Sequence, residues 1–178
     1  PPRIYAHKQR KKSMEIQNYI NGKWCDADSK KTIKRANPAD NAEMIGHSPA
    51  SSAKDAARAV EAAHAAFASW KKIPAPSRAV FIKKAIEILR ANAEQIAHDL
   101  SLEQGKTLRE AMGEVNRGLE EMDFFVGEAW RIEGRQIPSA REQVVCYTVR
   151  EPIGVISCIV PWNFPFIPSI RKTLPAMI

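Results

Sequence analysis

The residues best suited to chemistry lie late in the chain, in Pro161-Trp162-Asn163-Phe164-Pro165. An asparagine side chain offers two N–H donors and one acceptor. Prolines on both sides fix the backbone, so the Asn163 amide is held rather than left floppy. A held amide can donate to an oxygen that gains negative charge during a reaction. It can equally do no more than stabilise a turn, with Trp162 filling a gap in the core; on residue type alone that is the commoner role.

The other reactive side chains offer less. Cys25, Cys146 and Cys158 are odd in number and widely separated, with no CxxC pair and no Cys/His cluster at metal spacing. That usage suits a reducing, cytoplasmic setting. Cys158 falls inside an apolar run with no histidine near it in sequence, the pattern of an inert core cysteine. His64 and His98 sit on helical patterns away from other ligand types and read as solvated or capping histidines rather than metal ligands. Glu103 and Glu114 read as solvated helix faces rather than paired carboxylates. Trp24, Trp70 and Trp130 read as core or interface aromatics.

The segment before Pro161 must position the turn. Gly154-Val155-Ile156-Ser157-Cys158-Ile159-Val160 is almost uninterruptedly apolar, as a strand buried on both faces of a parallel sheet would be. Ligands of open α/β sheets bind outside the carboxyl ends of strands, where Trp162 and Asn163 would then sit. A lone strand cannot make such a sheet, so its neighbours are expected beyond Ile178 or on another chain. After the turn, residues 166–178 suit a proline-bearing helix, and Gln143 to Arg150 has the β-branched and aromatic content of a strand.

Further upstream, Asn21-Gly22 between Tyr19-Ile20 and Lys23-Trp24 predicts a type I′ hairpin. Thr32 to Ala36 reads as extended, broken by Asn37-Pro38-Ala39-Asp40. Three helical stripes follow. The first is Ala56, Val60, Ala63, Phe67 and Trp70, with Ser52 as N-cap. The second runs Ile82, Ile86, Leu89, Ala93, Ile96 and Leu100, ended by Gly105. The third runs Leu108, Met112, Val115, Leu119, Met122 and Val126, with Gly134 near its end. Gly113, Gly118 and Gly127 weaken this third helix, so packing must hold it.

Composition narrows the class. With 178 residues, 44% hydrophobic and 26% charged, the chain resembles a soluble globular domain. The run from Ile153 to Pro161 is far shorter than the roughly 20 residues of a membrane span, and no secretory signal pattern is visible. The net charge is +7. Arg3, Lys8, Arg10, Lys11 and Lys12 carry five of those charges within residues 1–13, leaving the rest nearly balanced. No basic stripe interleaved with aromatics exists, so a nucleic-acid partner would rest on that tail alone. Residues 1–13 are expected to be vector-derived or an extension irrelevant to the fold, with Met14 reading as a start.

Glu151-Pro152-Ile153-Gly154-Val155 followed by Pro161-Trp162-Asn163-Phe164-Pro165 resembles the aldehyde dehydrogenase superfamily. Asn37-Pro38, Ile45-Gly46, the Ala-rich helix ending in Trp70, Arg78-Ala79, Glu103-Gln104-Gly105-Lys106, Gly134 and Ile137-Pro138 agree with it. The resemblance covers residues 14–178 and implies an α/β fold: the N-terminal part of a Rossmann-like cofactor-binding domain with a protruding β-ribbon. Residues 14–135 would form its helical part, 136–152 an oligomerisation ribbon, and 153–178 the first core strand and the turn. Read without the resemblance, that ribbon is equally a local surface hairpin.

In such enzymes a cysteine thiolate attacks the aldehyde, and the asparagine of the turn donates to the resulting oxyanion, the role implied for Asn163. Hydride then passes to NAD or NADP, and a glutamate activates the water that hydrolyses the thioester. Ile159, Val160, Pro161, Trp162 and Asn163 are implied to border the cofactor. The family lacks the usual G-x-G-x-x-G fingerprint, as does this chain. Its nucleophile, general base and ribose-binding lysine come after the turn and are not placed here, so this piece alone is expected to be inactive. The resemblance implies a small aldehyde substrate, closest to bacterial semialdehyde oxidisers, and a homo-dimer or homo-tetramer without membrane or nucleic-acid partner. The alternative is a non-catalytic fragment of the same fold acting as a binding or structural module.

Overall fold

The structure, a computed structural model, describes residues 14–178; the basic segment 1–13 lies outside the described residues. The front of the chain is built of strands. β1 (Met14–Glu15) pairs in parallel with β5 (Asp40–Pro49), and β5 pairs antiparallel with β4 (Thr32–Asn37). β2 (Asn18–Ile20) and β3 (Lys23–Cys25) form a separate hairpin. Its turn has Asn21 at φ 52° and Gly22 at φ 73°, the two positive values a type I′ turn needs. Tyr19 and Trp24 face each other across it with ring centroids 4.8 Å apart. Asn37 closes the β4–β5 turn by accepting from the Ala39 N–H at 2.9 Å. β5 has no clean apolar alternation, which is why its pattern gave no strand signal beforehand.

Helix α1 (Ala53–Trp70) starts where Ser52 donates its N–H to Asp55 at 2.9 Å. The buried Asp55 also accepts from the Asp28 N–H and from Arg58. These bonds, led by the backbone bond from Ser52, hold its carboxyl well below the usual range. The apolar stripe expected on α1 is present but uncovered. Val60 is exposed, and Phe67 and Trp70 are only half-buried. Among the described residues the stripe is covered only at its Trp70 end, where the ring packs 5.8 Å from Phe81 and the indole N–H donates to the Met177 carbonyl at 3.0 Å.

The second stripe is two helices, not one: α2 (Ala75–Ala91) and α3 (Ala93–Gln104). Asn92 divides them, at φ −112° and ψ 15°, with its side-chain amide donating to the Ile88 carbonyl at 2.7 Å. A short polar side chain that bonds the backbone competes with helix continuation. α3 stops at Gly105, in the left-handed region at φ 72°. α4 (Leu108–Glu128) begins in a capping box of Thr107 with Glu110 and ends well before Gly134. Gly134 lies beside the ribbon of β6 (Gln136–Ile137) and β7 (Cys146–Tyr147), where a Cβ would collide with the Thr148 carbonyl.

α4 is the centre of the packing, against α2, α3 and α5 (Phe166–Met177). Ile82, Ile86, Ala97, Leu100, Val115, Leu119, Met122, Ile170 and Leu174 are buried in one cluster. Gly118 lets α5 come close: a Cβ there would stand 2.6 Å from the Phe166 ring. Between the ribbon and α5 the structure departs most from expectation. Residues 151–160 pair with no strand among the described residues, Ile153 and Ile159 are exposed, and Cys158 is half-buried rather than sealed in a core. An extended run acquires sheet character and burial from its neighbours, and none stands beside this one. Trp24 and Trp130 are likewise exposed rather than core residues.

Candidate active-site turn

The turn between the apolar run and α5 is gripped from beneath by a buried ion pair. Lys106 Nζ donates to Glu114 Oε2 at 2.6 Å, and their side chains are 14% and 0% exposed. Lys106 also donates to the Asn163 backbone carbonyl at 3.0 Å and lies 4.4 Å from the centre of the Phe164 ring. The other oxygen of Glu114 accepts from the N–H groups of Phe166, at 2.8 Å, and Ile167, at 3.4 Å. A carboxylate at a helix N-terminus satisfies orphan donors and suits the helix dipole. Removing one partner of a buried pair costs about 3–5 kcal/mol, so this is no idle surface contact.

The local sequence puts Lys106 there. It stands in the short link between α3 and α4, directly after the left-handed Gly105. Ser101 Oγ donates to its carbonyl at 2.7 Å, and the Thr107–Glu110 capping box follows at once. Glu114 is reached after the first two turns of α4, on the face toward α5. Sequence reading missed both residues by assigning Glu114 to a solvated helix face. The available signal was a glutamate directly beside Val115 of the apolar stripe, three residues after Ala111, with a lysine eight residues earlier.

Other charges hold the same framework. Arg171 of α5 makes a bidentate contact to Glu121 of α4, with both N···O distances 2.7 Å. The hydrogen bond from Arg171 depresses the Glu121 carboxyl, and the guanidinium is raised in turn. Glu103 is also paired, with Arg35 of β4, which ties the strand layer to α3.

Residues 159–163, which the resemblance implies border the cofactor, lie on one largely exposed stretch. Ile159 is 82% exposed and Trp162 84%. Pro161 and Asn163 are exposed and Val160 is half-buried. Asn163 thus has its carbonyl engaged by Lys106 while its side-chain amide takes no hydrogen bond among the described residues. No group of three His, Cys, Asp or Glu residues is placed to hold a metal ion among the described residues, and no helix there is long and apolar enough to cross a membrane. The arrangement can present one amide donor beside an apolar ledge formed by Ile159 and Trp162.

The profile described as aldehyde dehydrogenase family matches residues 24–178. An alpha-ketoglutaric semialdehyde dehydrogenase of Bacillus subtilis (strain 168) is 38% identical over 161 residues, covering 90% of this chain and 33% of that protein. A succinate-semialdehyde dehydrogenase structure from Burkholderia pseudomallei superposes with a TM-score of 0.88 at 38% identity, over 92% of this chain and 34% of the other. A betaine aldehyde dehydrogenase double mutant from Staphylococcus aureus, solved in complex with NAD+, gives a TM-score of 0.86 at 30% identity, over 92% of this chain and 33% of the other. The chain therefore spans about a third of the length of the relatives it matches.

Proposed function

The chain belongs to the aldehyde dehydrogenase family, and from that premise we propose that it works as the cofactor-side part of an NAD(P)-dependent enzyme oxidising an aldehyde to a carboxylate. Asn163 is the residue that touches the reacting oxygen. Its side-chain N–H donates to the aldehyde oxygen as that atom gains negative charge, and a pre-aimed donor does so without reorganising in the transition state. The observation that carries this reading is the division of labour at Asn163: a backbone carbonyl pinned from below and an amide left exposed above.

The residues present fit a dinucleotide. The nicotinamide side of NAD(P) needs apolar surface next to a few polar groups, and Ile159 and Trp162 expose such surface directly before the donor. Ile159, Val160, Pro161 and Trp162 would hold it there, with Asn163 at the edge. When bound, that group supplies the hydride acceptor. With the dinucleotide laid against it, the apolar ledge would keep water from the reacting atoms, which would strengthen the hydrogen bond from Asn163. A semialdehyde substrate is the finer reading, supported by the relatives named as semialdehyde dehydrogenases.

We propose further that the ribbon of β6 and β7 joins a second copy. Ile137 and Tyr147 are exposed on it and Val145 and Val149 beside it, an apolar content unusual for a free two-stranded hairpin.

The test is Asn163→Ala in the full-length enzyme. kcat is expected to fall by about 10²–10³, as for loss of one oxyanion donor, with NAD(P) affinity little changed. A kcat close to wild type would refute the role.

A further inference from the structure

Resting on the reading of Asn163 as the donor, we propose that Lys106 and Glu114 are positioning residues: their buried pair fixes the peptide plane and direction of the Asn163 turn, and so sets the rate of the chemical step without touching substrate. Their contacts converge on four residues of the short stretch 163–167. Lys106 holds the Asn163 carbonyl at 3.0 Å and lies under the Phe164 ring, 4.4 Å from its centre. Glu114 holds the N–H groups of Phe166 and Ile167 at 2.8 and 3.4 Å. The 2.6 Å bond between the two joins both grips into one unit.

A wholly apolar pair would fill the same space. Replacing a buried ion pair by well-packed apolar residues is often neutral or stabilising, so stability alone gives little reason for charge here. What an apolar pair lacks is direction. A leucine cannot grip a carbonyl or satisfy two helix-start amides, whereas an ammonium and a carboxylate do so at fixed angles. Engaging the Asn163 carbonyl orients the peptide from residue 163 to 164, and with it the bond that projects the Asn163 side chain. The support for Lys106 is itself rigid: Gly105 at φ 72° before it, Ser101 on its carbonyl at 2.7 Å, and the capping box of α4 after it. A donor is useful in a transition state only if held within about 0.5 Å, which requires such a second layer of contacts.

The experiment is a double-mutant cycle in the full-length enzyme. Lys106→Met, Lys106→Arg and Glu114→Gln are each made alone and together with Asn163→Ala, and kcat is measured per titrated active site. Lys106→Met and Glu114→Gln are expected to lower kcat about 10- to 100-fold, the range for a displacement near 1 Å. KM for NAD(P) is expected to stay within about twofold, and Lys106→Arg to recover part of the loss. With Asn163→Ala already present, the same substitutions are expected to cost almost nothing further, because residues acting through one group are not additive. Equal losses in both backgrounds, or no loss in folded protein, would overturn the positioning role. Glu114→Gln keeps the size and the amide acceptor, so it answers the question even where Lys106→Met fails to fold. An Asn163→Ala enzyme with wild-type kcat would instead overturn the donor reading on which this rests, a separate and distinguishable result.

Discussion

Gly118 supplies the sharpest test of how α5 is held, because the helix it belongs to and the helix it faces demand opposite things of it. On a free helix surface, Gly→Ala stabilises by about 0.8–1.0 kcal/mol. At Gly118 a Cβ would lie 2.6 Å from two ring carbons of Phe166 and 2.9 Å from Ile170 Cδ1. Ordinary carbon contacts are about 3.5–4.0 Å, so Phe166 must retreat by roughly 1 Å. Overpacking of this kind costs about 1–3 kcal/mol, which exceeds the propensity gain in most of its range. Gly118→Ala is therefore expected to destabilise the α4–α5 contact by up to about 2 kcal/mol, the difference of those two effects. Gly113 is the control on the same helix: nothing lies within 4 Å of its added Cβ, so Gly113→Ala should stabilise. Peptide-resolved hydrogen exchange over residues 108–128 and 166–177 reads both. Exchange should quicken in α5 for Gly118→Ala and slow in α4 for Gly113→Ala. Equal slowing for both would mean that α5 does not rest on Gly118, and the packing described for the turn would be wrong. Because Phe166 lies three residues after Asn163, a shift of that size should also lower kcat, by up to about 10²-fold.

The remaining expectations are brief. Gly105→Ala must place a side chain at φ 72° and bring a Cβ 2.9 Å from the Ala39 nitrogen. The left-handed backbone alone costs about 1–2 kcal/mol, so a lowered Tm is expected; an unchanged one would contradict the cap. Glu121 has a carboxyl depressed below its ordinary 4.5, first through its hydrogen bond with Arg171. A depressed folded-state pKa contributes stability that is fully present above the unfolded value and is lost as pH falls through the folded one. The α4–α5 clamp should therefore weaken as pH drops below about 4.5, and Arg171→Met should shrink that acid dependence in an unfolding series. An undiminished dependence in Arg171→Met would assign it to other carboxylates.

Local rules reached far in this chain. The Asn21-Gly22 hairpin, the left-handed stop at Gly105, the helical stripe of α4 and the helix after Pro165 were all legible, because each depends on backbone preference or on period along one segment. Joining residues 75–104 into one helix failed at Asn92, where a single side-chain bond to Ile88 outweighs a continuous apolar stripe. The run at 154–160 failed differently. Its apolar content says what it could bury, but strand pairing is a property of two segments, and no second segment lies beside it among the described residues.

Sequence alone thus determined where the Asn163 amide sits in the chain and that prolines flank it. Tertiary structure alone decided what holds it. Lys106 and Asn163 are 57 positions apart, and Glu114 looks like any solvated glutamate until α5 is laid on α4 and its first amides point at that carboxylate. Whether a charge is bathed in water or buried against a partner depends on which surfaces meet, and a linear pattern does not contain that information.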